Sequence, residues 1–158
     1  MANFNNVSWT ARAFLLMTCA AGLATAAEPP ADLCSLLPAA VVSKTLGQTY
    51  GPPKKTVAPR PYANTAEGTD CTYPASSDYL LFRAYVDPSP AASAELFAKL
   101  KSFFGRGSTS VTGIGDEAYL DASHGLHVRK GKVRFFISAK AANDKQLRDL
   151  ASSIVGQL

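Results

Sequence analysis

Apolar side chains recur at every second position in two stretches of the chain, which predicts two β-strands. Tyr79–Val86 and Lys132–Ala139 are both rich in aromatic and large aliphatic residues, as strands in packed sheets are. In Tyr79–Val86 the alternation leaves apolar residues on both faces, so we expect this strand to be central. Shorter strands are predicted at Cys71–Tyr73, Ser108–Val111, Glu117–Asp121 and His124–Arg129, with at most an edge strand at Thr56–Ala58 among the prolines.

Apolar residues at helical spacing mark three further segments. The first begins near Pro38 and ends at Leu46, where Gly47 suits a left-handed stop. The second begins at Ser89-Pro90 and reaches Phe104, and its apolar stripe consists of Leu96, Phe97, Leu100, Phe103 and Phe104. The third begins at Asn143, and Gln146 three residues later is typical of a capping box.

The order of these elements indicates the fold class. One helix precedes a group of strands, a second helix divides the strands, and a third helix ends the chain. The order α-βββ-α-ββββ-α favours an α+β fold, in which helices cover one face of an antiparallel sheet. We therefore expect one domain over residues 27–158.

The first 26 residues have the layout of a secretory signal peptide. A polar segment with Arg12 precedes an apolar run, Ala13–Ala24, and Ala24-Thr25-Ala26 supplies the small residues of a cleavage site. The run of about a dozen residues is too short to span a bilayer, which needs about 20. A buried N-terminal helix is the alternative. The layout favours export to the periplasm or the extracellular space, with no transmembrane segment after cleavage.

The three cysteines fall on both sides of this cleavage site. Cys19 follows Leu16-Met17-Thr18, but threonine replaces the small residue that a lipid-attachment site needs, so no lipid anchor is expected. Cleavage leaves Cys34 and Cys71, and an even pair in an exported domain predicts a disulfide. Two cysteines this far apart suit neither a redox motif nor a zinc site.

Composition and charge exclude several classes of protein. The chain has 158 residues, 47% hydrophobic and 18% charged, which is typical of a globular domain. Its net charge of +4 is small, and no nucleic-acid partner is expected. Gly113-Ile114-Gly115 lacks the third glycine and the Lys-Ser/Thr of phosphate-binding loops, so it predicts a turn and no cofactor.

The two histidines raise the question of a metal or hydrolytic site. Asp116, Glu117, His124 and His127 lie close together in the sequence. An offset of three residues places His124 and His127 on opposite faces of a strand, so they converge only if His124 lies in a turn. We therefore predict no metal ligands and no catalytic residues, and keep a small enzyme built on Asp116, His124 and His127 as an alternative.

The stronger hypothesis is a binding face on the sheet. If Val128, Val133 and Phe135 point to the core, the residues between them point the other way, and part of Tyr79–Val86 shares that side. The predicted ligand-binding residues are His127, Arg129, Arg134, Phe136, Arg83 and Tyr85. Aromatic rings among basic donors suit an anionic envelope ligand or the acidic surface of another envelope protein. The ordinary solvated face of a half-buried sheet is the alternative.

Short motifs along the chain resemble a family of small secreted bacterial domains of unknown function. The motifs are Cys34-Ser35-Leu36-Leu37, Leu46-Gly47, Cys71-Thr72-Tyr73 and Gly113-Ile114-Gly115-Asp116-Glu117-Ala118. They are similar to those of many actinobacterial lipoproteins and of the extracytoplasmic sensor domains of some mycobacterial kinases. The resemblance implies an exported α+β domain with a disulfide between the positions of Cys34 and Cys71. It implies no activity, and this chain differs in lacking a lipid-attachment motif and a transmembrane segment.

Together these observations favour an exported, non-enzymatic binding domain of the bacterial cell envelope. Two alternatives stay open: a small metal-dependent or hydrolytic enzyme, and an accessory or inhibitor protein that docks another envelope protein through the sheet face.

Overall fold

The computed structural model of the protein describes residues 28–158. The predicted signal peptide and Cys19 lie outside these residues. A short 3₁₀ turn, Leu33–Leu36, precedes the regular elements α1 (Ala39–Leu46), β1 (Lys54–Ala58), β2 (Gly68–Pro74), β3 (Tyr79–Val86), α2 (Pro90–Phe104), β4 (Thr109–Val111), β5 (Glu117–Leu120), β6 (Leu126–Lys130), β7 (Val133–Ala139) and α3 (Asp144–Val155). Within residues 28–158 no helix is long and apolar enough to cross a membrane.

The seven strands form one antiparallel sheet in the order β1-β2-β3-β7-β6-β5-β4. β3 and β7 lie at its centre and pair over their full lengths, from Leu80 opposite Ala139 to Val86 opposite Val133. The predicted central position of Tyr79–Val86 is therefore confirmed, as are the α+β class and the order of the elements. β1 lies at one edge, as predicted from the prolines on both sides of it.

One face of the sheet forms the main core with α1 and α3. Alternate residues of the central strands point into it, and the largest of these are Tyr73, Leu80, Phe82, Leu126 and Ile137, all fully buried. α3 contributes Leu147, Leu150, Ala151 and Ile154. The capping box of Asn143 and Gln146 begins this helix as predicted, because each side chain accepts a backbone N–H of the other residue.

The disulfide between Cys34 and Cys71 is present and is buried in this core. It joins the 3₁₀ turn to β2, with the two Cα atoms 5.7 Å apart. The hydroxyl of Tyr73 donates to the carbonyl oxygen of Leu37, so a hydrogen bond beside the disulfide holds the same two elements together.

α2 differs from the prediction, because it packs on the opposite face of the sheet from α1 and α3. The Phe97 ring lies 5.3 Å from the ring of Tyr119. In β5, Tyr119 points away from the core side, which takes its neighbours Ala118 and Leu120. The physical reason is that this second face also carries aromatic side chains, and burying them under an apolar helix stripe is favourable.

The predicted glycine turn is present, whereas His124, predicted to begin a strand, lies in a turn. Gly113 and Gly115 have φ angles of 80° and 61°, which glycine adopts without a steric penalty, so this motif is a turn. His124 has a φ angle of 60° and lies in the turn before β6, so β6 begins at Leu126 and not at His124.

Candidate functional site

The face of the sheet under α2, called the outer face here, carries a row of interacting side chains. The register places Asp70, Arg83, Phe136, His127 and Tyr119 side by side across five strands. A second row contains Tyr85, Arg134, Arg129 and Glu117. Residues opposite each other on one face are close enough for direct contact, so the face is a continuous aromatic and charged surface.

The outer face forms the floor of a cleft of about 460 Å³. The C-terminal half of α2 walls the cleft on one side, and the loop after β1 walls it on the other. The lining residues are Pro59, Arg60, Pro61, Tyr62, Arg83, Tyr85, Phe97, Leu100, Phe103, Phe104, Asp121, His127, Arg134, Phe135 and Phe136. Ligand sites in proteins are typically clefts of about 300–1,000 Å³ lined by aromatic side chains with a few polar groups.

Five of the six predicted ligand-binding residues line this cleft. They are Arg83, Tyr85, His127, Arg134 and Phe136. The sixth, Arg129, lies on the same face but outside the cleft lining, where its guanidinium donates to Asp116 at 3.0 Å and to Glu117 at 2.9 Å. Arg129 is therefore paired with Asp116 and Glu117 and does not contribute to the cleft.

Arg134 is held at the floor of the cleft by a buried ion pair. Arg134 is 3% exposed and Asp87 is 2% exposed. The guanidinium donates to the two carboxylate oxygens at 2.5 and 2.9 Å, which is the bidentate geometry of strong arginine–carboxylate pairs. The guanidinium also lies 4.9 Å from the centre of the Tyr85 ring. Its charge is therefore paired with Asp87, and its planar face packs against an aromatic ring.

Tyr85 joins the floor of the cleft to its proline-rich wall. Its hydroxyl donates to the carbonyl oxygen of Pro59 at 2.8 Å. Its ring crosses β2 at Gly68, where a Cβ atom would lie 2.5 Å from a ring carbon. A glycine at this position is therefore required for the ring to reach the loop, and the loop keeps its place beside the cleft.

Arg83, the neighbour of Tyr85 on the outer face of β3, forms a bidentate ion pair as Arg134 does. Its guanidinium donates to the two oxygens of Asp70 at 2.6 and 2.7 Å. The hydrogen bond to this carboxylate raises the pKa of Arg83, against the opposing effect of burial. The side chain of Arg83 is 31% exposed, so the pair lies at the open side of the cleft.

His127 lies in a stack of aromatic rings. Its imidazole is parallel to the Tyr119 ring, with centres 4.5 Å apart, and it is tilted against Phe136 at 4.7 Å. Nε2 lies 2.9 Å from a carboxylate oxygen of Asp121. Because the carboxylate only accepts, the imidazole proton lies on Nε2.

Burial determines the charge of this histidine. Desolvation lowers the pKa of His127, and the hydrogen bond and charge of Asp121 only partly oppose it. Burial alone would raise the pKa of Asp121, but backbone N–H groups of Gly125 and Ser123, together with His127, lower it. Burial also raises the pKa of Tyr119 to about 12. Near neutral pH the cleft lining therefore contains a neutral imidazole beside an ionised Asp121, and the buried Tyr119 stacked on the imidazole is a neutral phenol.

The lowered pKa of His127 predicts a dependence of stability on pH. The unfolded chain takes up a proton near pH 6.5, whereas native His127 resists it until the pH is lower. The contribution of His127 to the free energy of unfolding is therefore complete above that pH. It falls as the pH is lowered from about 7 to about 5, with a slope of at most about 1.4 kcal/mol per pH unit. Urea unfolding of the protein and of His127→Gln across this range measures the effect.

In His127→Gln this part of the slope should disappear. His124→Gln is the matched control, because the His124 side chain is 78% exposed and the slope should remain. Equal slopes in the protein and in His127→Gln would contradict the assignment.

The residues of the alternative enzyme site do not come together. His124 contacts Asp144 at 3.3 Å, His127 contacts Asp121, and Asp116 accepts from Arg129 and from the backbone N–H of Gly131. Among residues 28–158 no group of three or more His, Cys, Asp or Glu side chains is placed to hold a metal ion. The trio Asp116, His124 and His127 is thus divided among three separate contacts.

The walls of the cleft were not predicted as part of the site. Phe103 and Phe104, at the end of α2, are 76% and 61% exposed and stand at the mouth of the cleft. The signal in the sequence was the length of the α2 apolar stripe, which continues beyond the part that packs on the sheet at Phe97. The prolines of the loop, Pro59 and Pro61, indicated an irregular segment but not its position.

The fold and the cleft define an antiparallel α+β domain with a ligand-sized opening under one helix. A solved structure with this fold is the extracellular domain of PknH from Mycobacterium tuberculosis. The TM-score is 0.55 at 14% sequence identity, and the match covers 82% of this chain and 97% of the other. This agrees, at the level of fold, with the resemblance to extracytoplasmic domains of mycobacterial kinases. No known protein-family profile matches the chain, and no curated protein sequence matches it.

Proposed function

We propose that the protein is an exported, non-enzymatic domain of the bacterial cell envelope that binds a small ligand in the cleft on the outer face. The observation that carries the proposal is the cleft itself, which has ligand-site volume and mostly aromatic walls. It opens over five side chains that the sequence pattern assigns to one face. Hydrogen bonds fix four of them, and the ring of Phe136 packs against His127, so the site is formed before a ligand arrives.

Export is supported by three independent features. The first 26 residues have the layout of a signal peptide. The buried disulfide between Cys34 and Cys71 belongs to an oxidising compartment. The fold is similar to that of an extracellular domain. Mass spectrometry of the protein secreted by a bacterial host is expected to give a chain that begins at Ala27 or Glu28 and is two hydrogens lighter than its reduced form. An uncleaved chain that still carries residues 1–26 and is found inside the cells would contradict export.

Binding can be tested with an uncharged fluorescent probe, N-phenyl-1-naphthylamine, whose emission increases in apolar sites. The protein should bind it, and Phe103→Ala with Phe104→Ala should weaken binding about tenfold, because two ring contacts at the mouth are lost. Both side chains are exposed, so the substitutions should leave the fold intact.

Tyr79→Ala is the matched control for this loss. Tyr79 is an exposed aromatic residue, 60% exposed, and does not line the cleft. Equal binding by the control and by the Phe103 and Phe104 variant would place the probe elsewhere and would overturn the proposed site.

A further inference from the structure

The positive charges of the cleft are already neutralised by the protein's own side chains. Arg83 is paired with Asp70, Arg134 with Asp87, and Arg60 with Glu67 at 3.1 Å. The remaining lining carboxylate, Asp121, accepts a hydrogen bond from the neutral imidazole of His127 and keeps its negative charge. Each charged side chain that the structure describes along the cleft thus has its own partner.

This pairing decides what the cleft can recognise. An anionic ligand gains from a guanidinium only if the guanidinium has free donors and uncompensated charge. Here Arg83 and Arg134 each donate from Nε and one terminal nitrogen to the two oxygens of a carboxylate. The carboxylates of Asp70 and Asp87 also repel an approaching anion. A face that is basic and aromatic in the sequence therefore has no unpaired arginine in the described cleft lining of the folded protein.

The uncharged part of the lining is dominated by rings. Seven phenylalanine and tyrosine residues contribute to it: Tyr62, Tyr85, Phe97, Phe103, Phe104, Phe135 and Phe136. Aromatic rings pack against other rings in stacked or edge-to-face geometries that add to the apolar area buried. The surface of the cleft is thus complementary to flat apolar molecules.

We infer that the cleft selects an uncharged ligand built on aromatic rings, and that Asp70 and Asp87 set this selectivity by withholding Arg83 and Arg134 from anions. The inference rests on the proposed function of the cleft and specifies its ligand class. It replaces the anionic ligand that the basic residues of the sequence favoured.

Two probes with one skeleton test the selectivity. N-phenyl-1-naphthylamine is uncharged, and 8-anilinonaphthalene-1-sulfonate carries the same rings with one sulfonate. The unaltered protein should bind the uncharged probe at least about tenfold more tightly than the sulfonate. Equal or tighter binding of the sulfonate would overturn the inference but leave the cleft as a binding site. Absence of binding by either probe would overturn the proposed function as well.

Releasing Arg83 should remove most of the preference. Asp70→Asn keeps the shape of the side chain and removes its charge, so Arg83 becomes available to the sulfonate. The anionic probe should then bind about tenfold more tightly, the gain of one charge-assisted hydrogen bond. Binding of the uncharged probe should stay within about twofold. The comparison of the two probes on the unaltered protein does not depend on whether this variant folds.

Glu117→Gln is the matched control for the change in charge. It removes one carboxylate beside Arg129, which lies on the same face but outside the cleft. The ratio of the two affinities should not change in this variant. An equal change of the affinity ratio in Glu117→Gln and Asp70→Asn would show that net charge alone causes the effect. It would overturn the role of Asp70.

Ring recognition is tested by displacement of the uncharged probe. We expect 1-naphthol, an uncharged ring compound, to displace it at lower concentration than monolauroylglycerol, an uncharged compound with an acyl chain. The reverse order would show that the cleft prefers acyl chains and would overturn the aromatic part of the inference.

Discussion

Replacing Asp87 by alanine is expected to lower the free energy of unfolding by about 3–5 kcal/mol. The substitution leaves the guanidinium of Arg134 buried at 3% exposure without the carboxylate that pairs with it. Desolvation of an unpaired charge costs far more than the pair contributes when intact. Urea unfolding followed by circular dichroism measures the loss.

Two comparisons separate the buried charge from the lost contacts. The double variant Asp87→Leu with Arg134→Met removes both charges and should recover most of the stability, because no unpaired ion remains. Asp70→Ala breaks a pair of the same bidentate geometry whose side chains are 31% and 14% exposed, and it should cost only about 1 kcal/mol. A double variant as unstable as Asp87→Ala would contradict the explanation.

Replacing both Cys34 and Cys71 by serine is expected to cost about 4 kcal/mol. The disulfide joins residues 37 positions apart, so its loss frees a long loop in the unfolded chain. Both sulfur atoms also lie in the main core, where serine hydroxyls need new hydrogen-bond partners. Thermal unfolding of the variant, and of the unaltered protein with a reducing agent, measures the loss.

Reduction of the unaltered protein should lower its unfolding temperature by a similar amount. An unfolding temperature that does not respond to reduction would show that the two cysteines are unpaired in solution. It would also remove one of the three features that support export.

The strands and their order along the chain could be predicted because the hydrophobic pattern carries that information directly. Tyr79–Val86 has apolar residues on both faces. Only a central strand of a sheet that is covered on both faces buries them. The capping box at Asn143 and the glycine stop at Gly47 are local signals that need no tertiary contact, and both are present in the structure.

The position of α2 could not be predicted from its own sequence. An apolar stripe shows that a helix is buried on one side, but it does not show which face of a two-sided sheet takes it. The deciding contacts join Phe97 to Tyr119 in β5. Their position depends on how the whole sheet is assembled.

The residues of the candidate site could be grouped on one face, but their electrostatics could not be predicted. Alternation alone placed Arg83, His127, Arg134 and Phe136 together. The partner of Arg134 is 47 positions away in the chain. It becomes visible only when β3 and β7 are paired. Without that register the arginines suggested a site for anions, whereas with it they are neutral pairs.

The most direct measurement for the cleft is a titration of the ¹⁵N-labelled protein with N-phenyl-1-naphthylamine, followed by amide chemical shifts. The shifts should change in the loop at Pro59–Tyr62 (its non-proline amides), in the second half of α2, and around Arg83 and Phe136, while α1 and α3 stay unchanged. Changes centred on α1 and α3, or spread evenly over the protein, would contradict a ligand site on the outer face.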